Sequence, residues 1–168
     1  EAAQAAAATA GDNPDWANAK LGSTATASSA APHADSAYAA ENVIGRKVRR
    51  GWQAKDQTTS AWIEVRLKEA KPVSEIWVEP APPESGLYCE DAYEFLGSRA
   101  ALRAPARHVR IRLDGGAEIK TELRQLGDFE IIPLPKTATV RTIRVTVDDV
   151  WPKAGGKETG LAKIRAYT

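Results

Sequence analysis

The chain has 168 residues, 43% of them hydrophobic and 27% charged, which is enough for one domain with a full core and too few for two ordinary ones. Its 23 Lys and Arg against 22 Asp and Glu leave a net charge of +1, so composition gives no reason to expect nucleic acid or an anionic membrane as partner. No apolar run approaches the ~20 residues that cross a bilayer, and a lone cysteine, Cys89, excludes an internal disulfide and a thiolate metal cluster. Cys89 then reads as a small half-buried apolar residue or as one half of a disulfide to a partner chain.

Residues 1–20 stand apart as an N-terminal arm. Glu1 to Ala10 is almost all Ala, a good helix former, but ten residues are too few to hold a helix alone, so the arm is frayed or docked. The chain contains no methionine, even at its start. With the Ala-rich beginning, that predicts a processed, extracytoplasmic protein (secreted, periplasmic or at the cell surface) whose signal peptide has been removed; a trimmed chain is the alternative. Gly11-Asp12-Asn13-Pro14 is turn chemistry, with Asp12 or Asp15 placed to cap a short turn before Trp16.

From Leu21 the pattern is one of strands and turns. Ser23 to Ser28 alternates small and β-branched residues, and 29–60 is loop-like. Trp62 to Leu67 puts Ile63, Val65 and Leu67 on one face, a half-buried strand, and Val73 to Glu79 repeats the pattern up to Pro80. His108 to Leu113 alternates with Val109, Ile111 and Leu113 inward, and Asp114-Gly115-Gly116 is a hairpin signal into Ala117 to Leu123. Phe129 to Leu134 is an apolar run broken by Pro133, hence an edge or bulged strand. Thr139 to Val147 is the strongest strand, with Val140 out of phase with Ile143, Val145 and Val147, which predicts a bulge near Arg141. Leu161 to Tyr167 closes the chain. About eight short strands and no long helical period predict an all-β antiparallel sandwich or jelly roll over residues 21–168.

The stretch Ala25-Thr-Ala-Ser-Ser-Ala-Ala-Pro32, then Tyr38, then Glu41-Asn-Val-Ile-Gly45, then Trp62-Ile-Glu-Val-Arg-Leu67 resembles the opening of discoidin (coagulation-factor type C, galactose-binding-like) domains. The tail Arg141 to Pro152, followed by Glu158 to Ile164, looks like that family's last two strands. The His108 to Gly116 hairpin, with Arg107 before it, is most similar to domains of bacterial surface and periplasmic proteins. The resemblance implies an eight-stranded jelly roll with chain ends near one another, and a binding function in loops at one end. Family members bind glycans, phospholipid head groups or proteins and do not usually catalyse. The family often holds Ca²⁺ between an Asn-x-Ile-Asp-Gly turn and a last-strand Glu. Here the turn reads Asn42-Val43-Ile44-Gly45 and the Glu position is Lys163, so both carboxylates are missing. The resemblance therefore implies no metal there, with the Lys163 ammonium in the cation's place or, equally, pointing to solvent.

No catalytic motif is present: no H-E-x-x-H, P-loop, G-x-S-x-G or dinucleotide turn. Ser29, His33 and Asp35 lie too close in one loop to converge as a triad, and Glu90 and Asp91 read as solvated charges. Trp62 and Trp77 read as strand packing. The ligand-binding candidates are the loop aromatics Tyr88, Trp151, Trp52 and Tyr38, with Arg49 and Arg50 from the basic loop before Trp52. Tyr38 and Trp52 also match family positions that close the barrel, so packing competes with contact there. The expected function is a non-catalytic exported module, without cofactor, that recognises a partner protein or a cell-surface glycan. The alternative is an accessory subunit of a larger extracytoplasmic assembly, docked through the arm.

Overall fold

The computed structural model describes residues 13–32, 38–45, 51–81, 103–125, 129–152 and 157–168. Among the described residues eight strands carry the fold: β1 (Thr24–Ala27), β2 (Trp52–Gln53), β3 (Trp62–Pro80), β4 (Arg103–Pro105), β5 (His108–Leu113), β6 (Glu118–Glu122), β7 (Glu130–Val147) and β8 (Glu158–Tyr167). Two short 3-10 turns, Ala19–Leu21 and Ala40–Val43, are the helical segments among the described residues.

Where the sequence suggests separate strands at Trp62–Leu67 and Val73–Glu79, the backbone stays extended through both. The same holds for the runs at 129–134 and 139–147. β3 and β7 are therefore long strands of 19 and 18 residues that pair with each other along both halves. The ladder breaks its register between Arg66 and Lys71 and again between Val73 and Glu75. Arg141, between the paired Val140 and Thr142, has no partner in the ladder, which accounts for the phase change seen at Val140. At these breaks the strands turn from one layer to the other. One layer is ordered β1-β3-β7-β5-β6 and the other β7-β3-β8-β2, with β4 running parallel to β8. The structure is the all-β jelly-roll sandwich that the alternation predicts.

The two layers close on one core. Ile63, Val65 and Leu67 from the first half of β3 and Val73, Ile76 and Val78 from the second are each at most 1% exposed. Ile143, Val145 and Val147 face them from β7. Burying one such side chain stabilises the fold by about 2 kcal/mol. The β5–β6 hairpin turns as expected: Asp114 and Gly115 have φ of 49° and 71°, and Gly116 N–H donates to Leu113 O at 2.8 Å. Two consecutive positive φ values match the right-handed twist of the strands.

The described part of the N-terminal arm is docked. Trp16 N–H donates to Ala166 O, and Asn13 Nδ2 donates to Thr168 O. Asp15 Oδ1 caps the turn as expected, accepting from Ala17 N–H and also from Ala166 N–H, at 3.0 Å each. Residues 13–17 thus lie beside the end of β8, and Ala17 is fully buried in the core. Residues 1–12 lie outside the described residues.

Candidate functional site

The strand registers define two ends of the sandwich. Thr168 Oγ1 donates to Pro72 O, so the described chain ends sit at the corner end, with Lys68–Lys71 and the Asp114 turn. The opposite end lies one strand length away, roughly 20 Å for the six residues of β5. There Val109 pairs with Val147 and Thr121, which brings the start of β5, the end of β6 and the segment after β7 side by side.

His108 occupies the centre of that junction. Its Nδ1 lies 2.8 and 3.0 Å from the two carboxylate oxygens of Asp149, and its Nε2 lies 3.0 Å from Glu122 Oε2. Asp149 also accepts the His108 backbone N–H. A ring with a carboxylate at each nitrogen favours the doubly protonated imidazolium. The hydrogen bond to Asp149, then the Asp149 charge, holds His108 above its ordinary value, partial desolvation opposing. The same bond holds Asp149 below the usual carboxylate range. Around this pair, Arg110 joins Asp148 at 2.7 Å and Glu118 at 3.2 Å.

An open hollow of about 430 Å³ lies over His108, bounded by Lys120, Thr121 and Glu122 on β6 and by Asp148 and Asp149. Lys120 makes no ion pair among the described residues. Trp151 is joined to this end through Arg107: its backbone N–H donates to Pro105 O, and the Arg107 guanidinium lies 4.6 Å from its ring centroid. Two donors in that stack, Trp151 Nε1 and Arg107 Nε, are buried and have no hydrogen-bond partner among the described residues. Arg107 Nε approaches Glu122 Oε2 only to 3.8 Å. The hollow offers charged donors and carboxylate acceptors in one place. That set suits a polyhydroxylated ligand. No serine or cysteine hydroxyl or thiol meets His108 among the described residues.

His108 and Asp149 also couple stability to pH. A raised histidine pKa contributes stability below its ordinary 6.5, lost as pH rises through the folded value. A lowered carboxylate pKa contributes above its ordinary 3.8, lost as pH falls through the folded value. The melting temperature of the wild type minus that of His108→Gln is therefore expected to be largest between pH 4 and 6.5 and to shrink as pH rises beyond that window. A difference constant from pH 4 to 9 would contradict the arrangement.

Of the residues singled out from sequence, Trp151 lies at this end and is half-buried. Tyr38 and Trp52 lie in the core: both are 0% exposed, and Trp52 Nε1 donates to Ser29 O at 2.8 Å. The core takes them because Trp52 pairs with Leu161 of β8 and turns its ring inward. Tyr88, Arg49 and Arg50, like His33, Asp35, Cys89, Glu90 and Asp91, lie outside the described residues. His108, Asp149, Glu122 and Arg107 are the residues that sequence reading missed. Their one signal was the outward phase of His108 in an otherwise clean strand.

Two aromatic groups elsewhere do not form a site. On the outer face of the second layer, Trp77 lies 5.5 Å from Phe129 and 5.1 Å from Tyr167, with interplanar angles of 58° and 61°. Rings so inclined give no flat platform for a sugar. Trp62 sits under the Arg144 guanidinium at 3.9 Å, so one face is already covered. At the Asn42 turn, among the described residues, the Gly51 carbonyl accepts from Asn42 Nδ2 at 3.0 Å. Lys163 is 9% exposed, and burial holds its pKa down; the Arg165 charge adds to this, and those of Asp15 and Glu79 oppose it. Glu79 is its cross-strand partner.

No family model and no curated protein sequence matches the chain. Solved structures do match in fold. The family 32 carbohydrate-binding module of NanJ from C. perfringens, in complex with galactose, is 16% identical with a TM-score of 0.63, covering 87% of this chain and 93% of that one. A second Clostridium perfringens module, in complex with GalNAc-β-1,3-galactose, is 12% identical with a TM-score of 0.64, covering 87% and 95%. Chitosan-binding module 1 of a chitosanase/glucanase from Paenibacillus sp. IK-5, in a selenomethionine-labelled mutant form, is 16% identical with a TM-score of 0.58, covering 94% and 100%. The chain has the galactose-binding-like jelly-roll fold of these modules.

Proposed function

We propose that the chain is a non-catalytic carbohydrate-binding module that takes a short glycan in the His108 hollow. The observation that carries this reading is the hollow itself. It sits at the end away from the described chain ends, and it gathers polar groups from β5, β6 and the segment after β7, with Trp151 joined to Glu122 of its lining only through Arg107. Its volume of about 430 Å³ lies within the ~300–1,000 Å³ of small-molecule sites and suits one or two sugar rings. The fold neighbours in complex with galactose and with GalNAc-β-1,3-galactose support galactose-type sugars as the first ligands to try. A cell-surface glycan as ligand entails an exported protein.

A glycan array followed by calorimetry tests the reading. At pH 8, where the contribution of the charged His108 has declined, Trp151→Ala and His108→Ala are each expected to weaken the best glycan about tenfold or more, with melting temperatures close to wild type. Undiminished affinity in both variants would remove the hollow from consideration.

A further inference from the structure

We infer that His108 is a proton-controlled acceptor in this hollow, and that Glu122 moves between His108 and Arg107 to set it; the ligand side of this inference rests on the glycan reading above. Glu122 Oε2 stands between two donors. His108 Nε2 is at 3.0 Å and Arg107 Nε at 3.8 Å, and the latter is buried without a hydrogen-bond partner among the described residues. Moving the carboxylate by less than an ångström exchanges one partner for the other.

The proton on His108 decides which partner wins. With both ring nitrogens protonated, each donates to its own carboxylate, and Glu122 is held on Nε2. When the ring loses one proton, the retained proton stays on Nδ1, where both Asp149 oxygens lie within 3.0 Å. The Nε2 lone pair then faces the negative Glu122, which is repelled. Arg107 Nε–H, an orphaned buried donor, takes the carboxylate. The charged groups facing the ring among the described residues are Glu122 and Lys120 from β6, Asp148 and Asp149 from the segment after β7, and Arg107 and Arg110 from the start of β5. Of the two carboxylates on the ring, Glu122 is the one with an unsatisfied side-chain donor so close.

The exchange changes what the hollow presents. In acid, Nε2 is a donor already engaged. Above the His108 pKa, Nε2 is a free acceptor at the floor of the hollow, open to the O–H of a neutral sugar. The raised pKa of His108 agrees with the closed form being the one held at mildly acidic pH. Arg107 lies on Trp151, so the handover is also felt by the indole.

Nuclear magnetic resonance on the ¹⁵N-labelled chain tests the handover without any ligand. Between pH 5 and 9 the Arg107 Nε–H resonance is expected to move with the same midpoint as the His108 ring. Glu122→Gln should lower that histidine midpoint by about half a unit to one unit and leave Arg107 flat. A wild-type Arg107 resonance that ignores the His108 titration, or a midpoint unchanged in Glu122→Gln, overturns the proposal. Calorimetry with methyl β-galactoside adds the ligand side. Wild type is expected to bind about tenfold more weakly at pH 5 than at pH 8, and His108→Gln equally at both. Equal wild-type affinities would overturn the acceptor role. No binding at either pH, with Arg107 still titrating, would refute galactose-type recognition and leave the handover supported.

Discussion

Gly160→Ala is expected to lower stability by about 4 kcal/mol, the largest loss from one added methyl group anywhere in the described chain. A Cβ at Gly160 overlaps Trp52 O outright and falls 2.9 Å from Trp52 C, both backbone atoms of the neighbouring strand. Backbone cannot rotate away as a side chain can. The two strands must part, and parting gives up the β2–β8 pairing of Trp52 with Leu161 and Gln53 with Gly160. It also strains the bond from Ala54 N–H to Thr159 O. Each lost bond costs about 1 kcal/mol, and the loosened Trp52 adds to that. At this chain length the loss is a fall in melting temperature of roughly 8–16 °C. Gly115→Ala is the control, since its Cβ meets nothing within 4 Å and only its positive φ of 71° resists, at about 1 kcal/mol. Melting curves followed by circular dichroism separate the two. A Gly160→Ala melt within 2 °C of wild type would mean that β2 and β8 are not packed as described.

The strands were legible because a half-buried sheet imposes a two-residue period. Ile63, Val65 and Leu67, and Ile143, Val145 and Val147, all point inward as their alternation requires. The corner was not legible. Lys68-Glu69-Ala70-Lys71-Pro72 looks like a break between strands. The backbone instead passes from one layer to the other without leaving extended geometry, and only the pairing with β7 shows this. β2 and β4 are too short to show a period, and their existence depends on β8 as a template.

The site was hidden for a related reason. His108 and Asp149 are 41 residues apart, and Glu122 is 14 from His108. Nothing local marks them as neighbours. The antiparallel registers of β5 with β6 and β7 bring them together, and register is a tertiary property. Loop aromatics drew attention because exposed rings bind sugars, but a ring in a loop is also the largest available core filler. Tyr38 and Trp52 went to the core, and Trp151 stayed at the edge. Reading the outward residue at the start of each strand, as with His108, would have found the junction.

Trp52→Ala is expected to cost about 3–5 kcal/mol, which sets it apart from the variant at the half-buried Trp151. Trp52 is among the largest fully buried side chains described, and its removal leaves a cavity that β2, only two residues long, cannot collapse to fill. It also leaves the Ser29 carbonyl without the indole donor at 2.8 Å. Trp52→Phe keeps most of the ring volume but loses that bond, so about 1–2 kcal/mol is expected. Trp151→Ala removes a half-buried ring and is expected to cost about 1 kcal/mol or less. Urea unfolding of the three variants reads the order directly. Affinity supplies the second axis: folded Trp52→Phe is expected to bind glycan as wild type does, whereas Trp151→Ala loses binding with its stability nearly intact. If Trp52→Ala proved as stable as Trp151→Ala, the inward placement of Trp52 would be wrong, and its exclusion from ligand contact would fall with it.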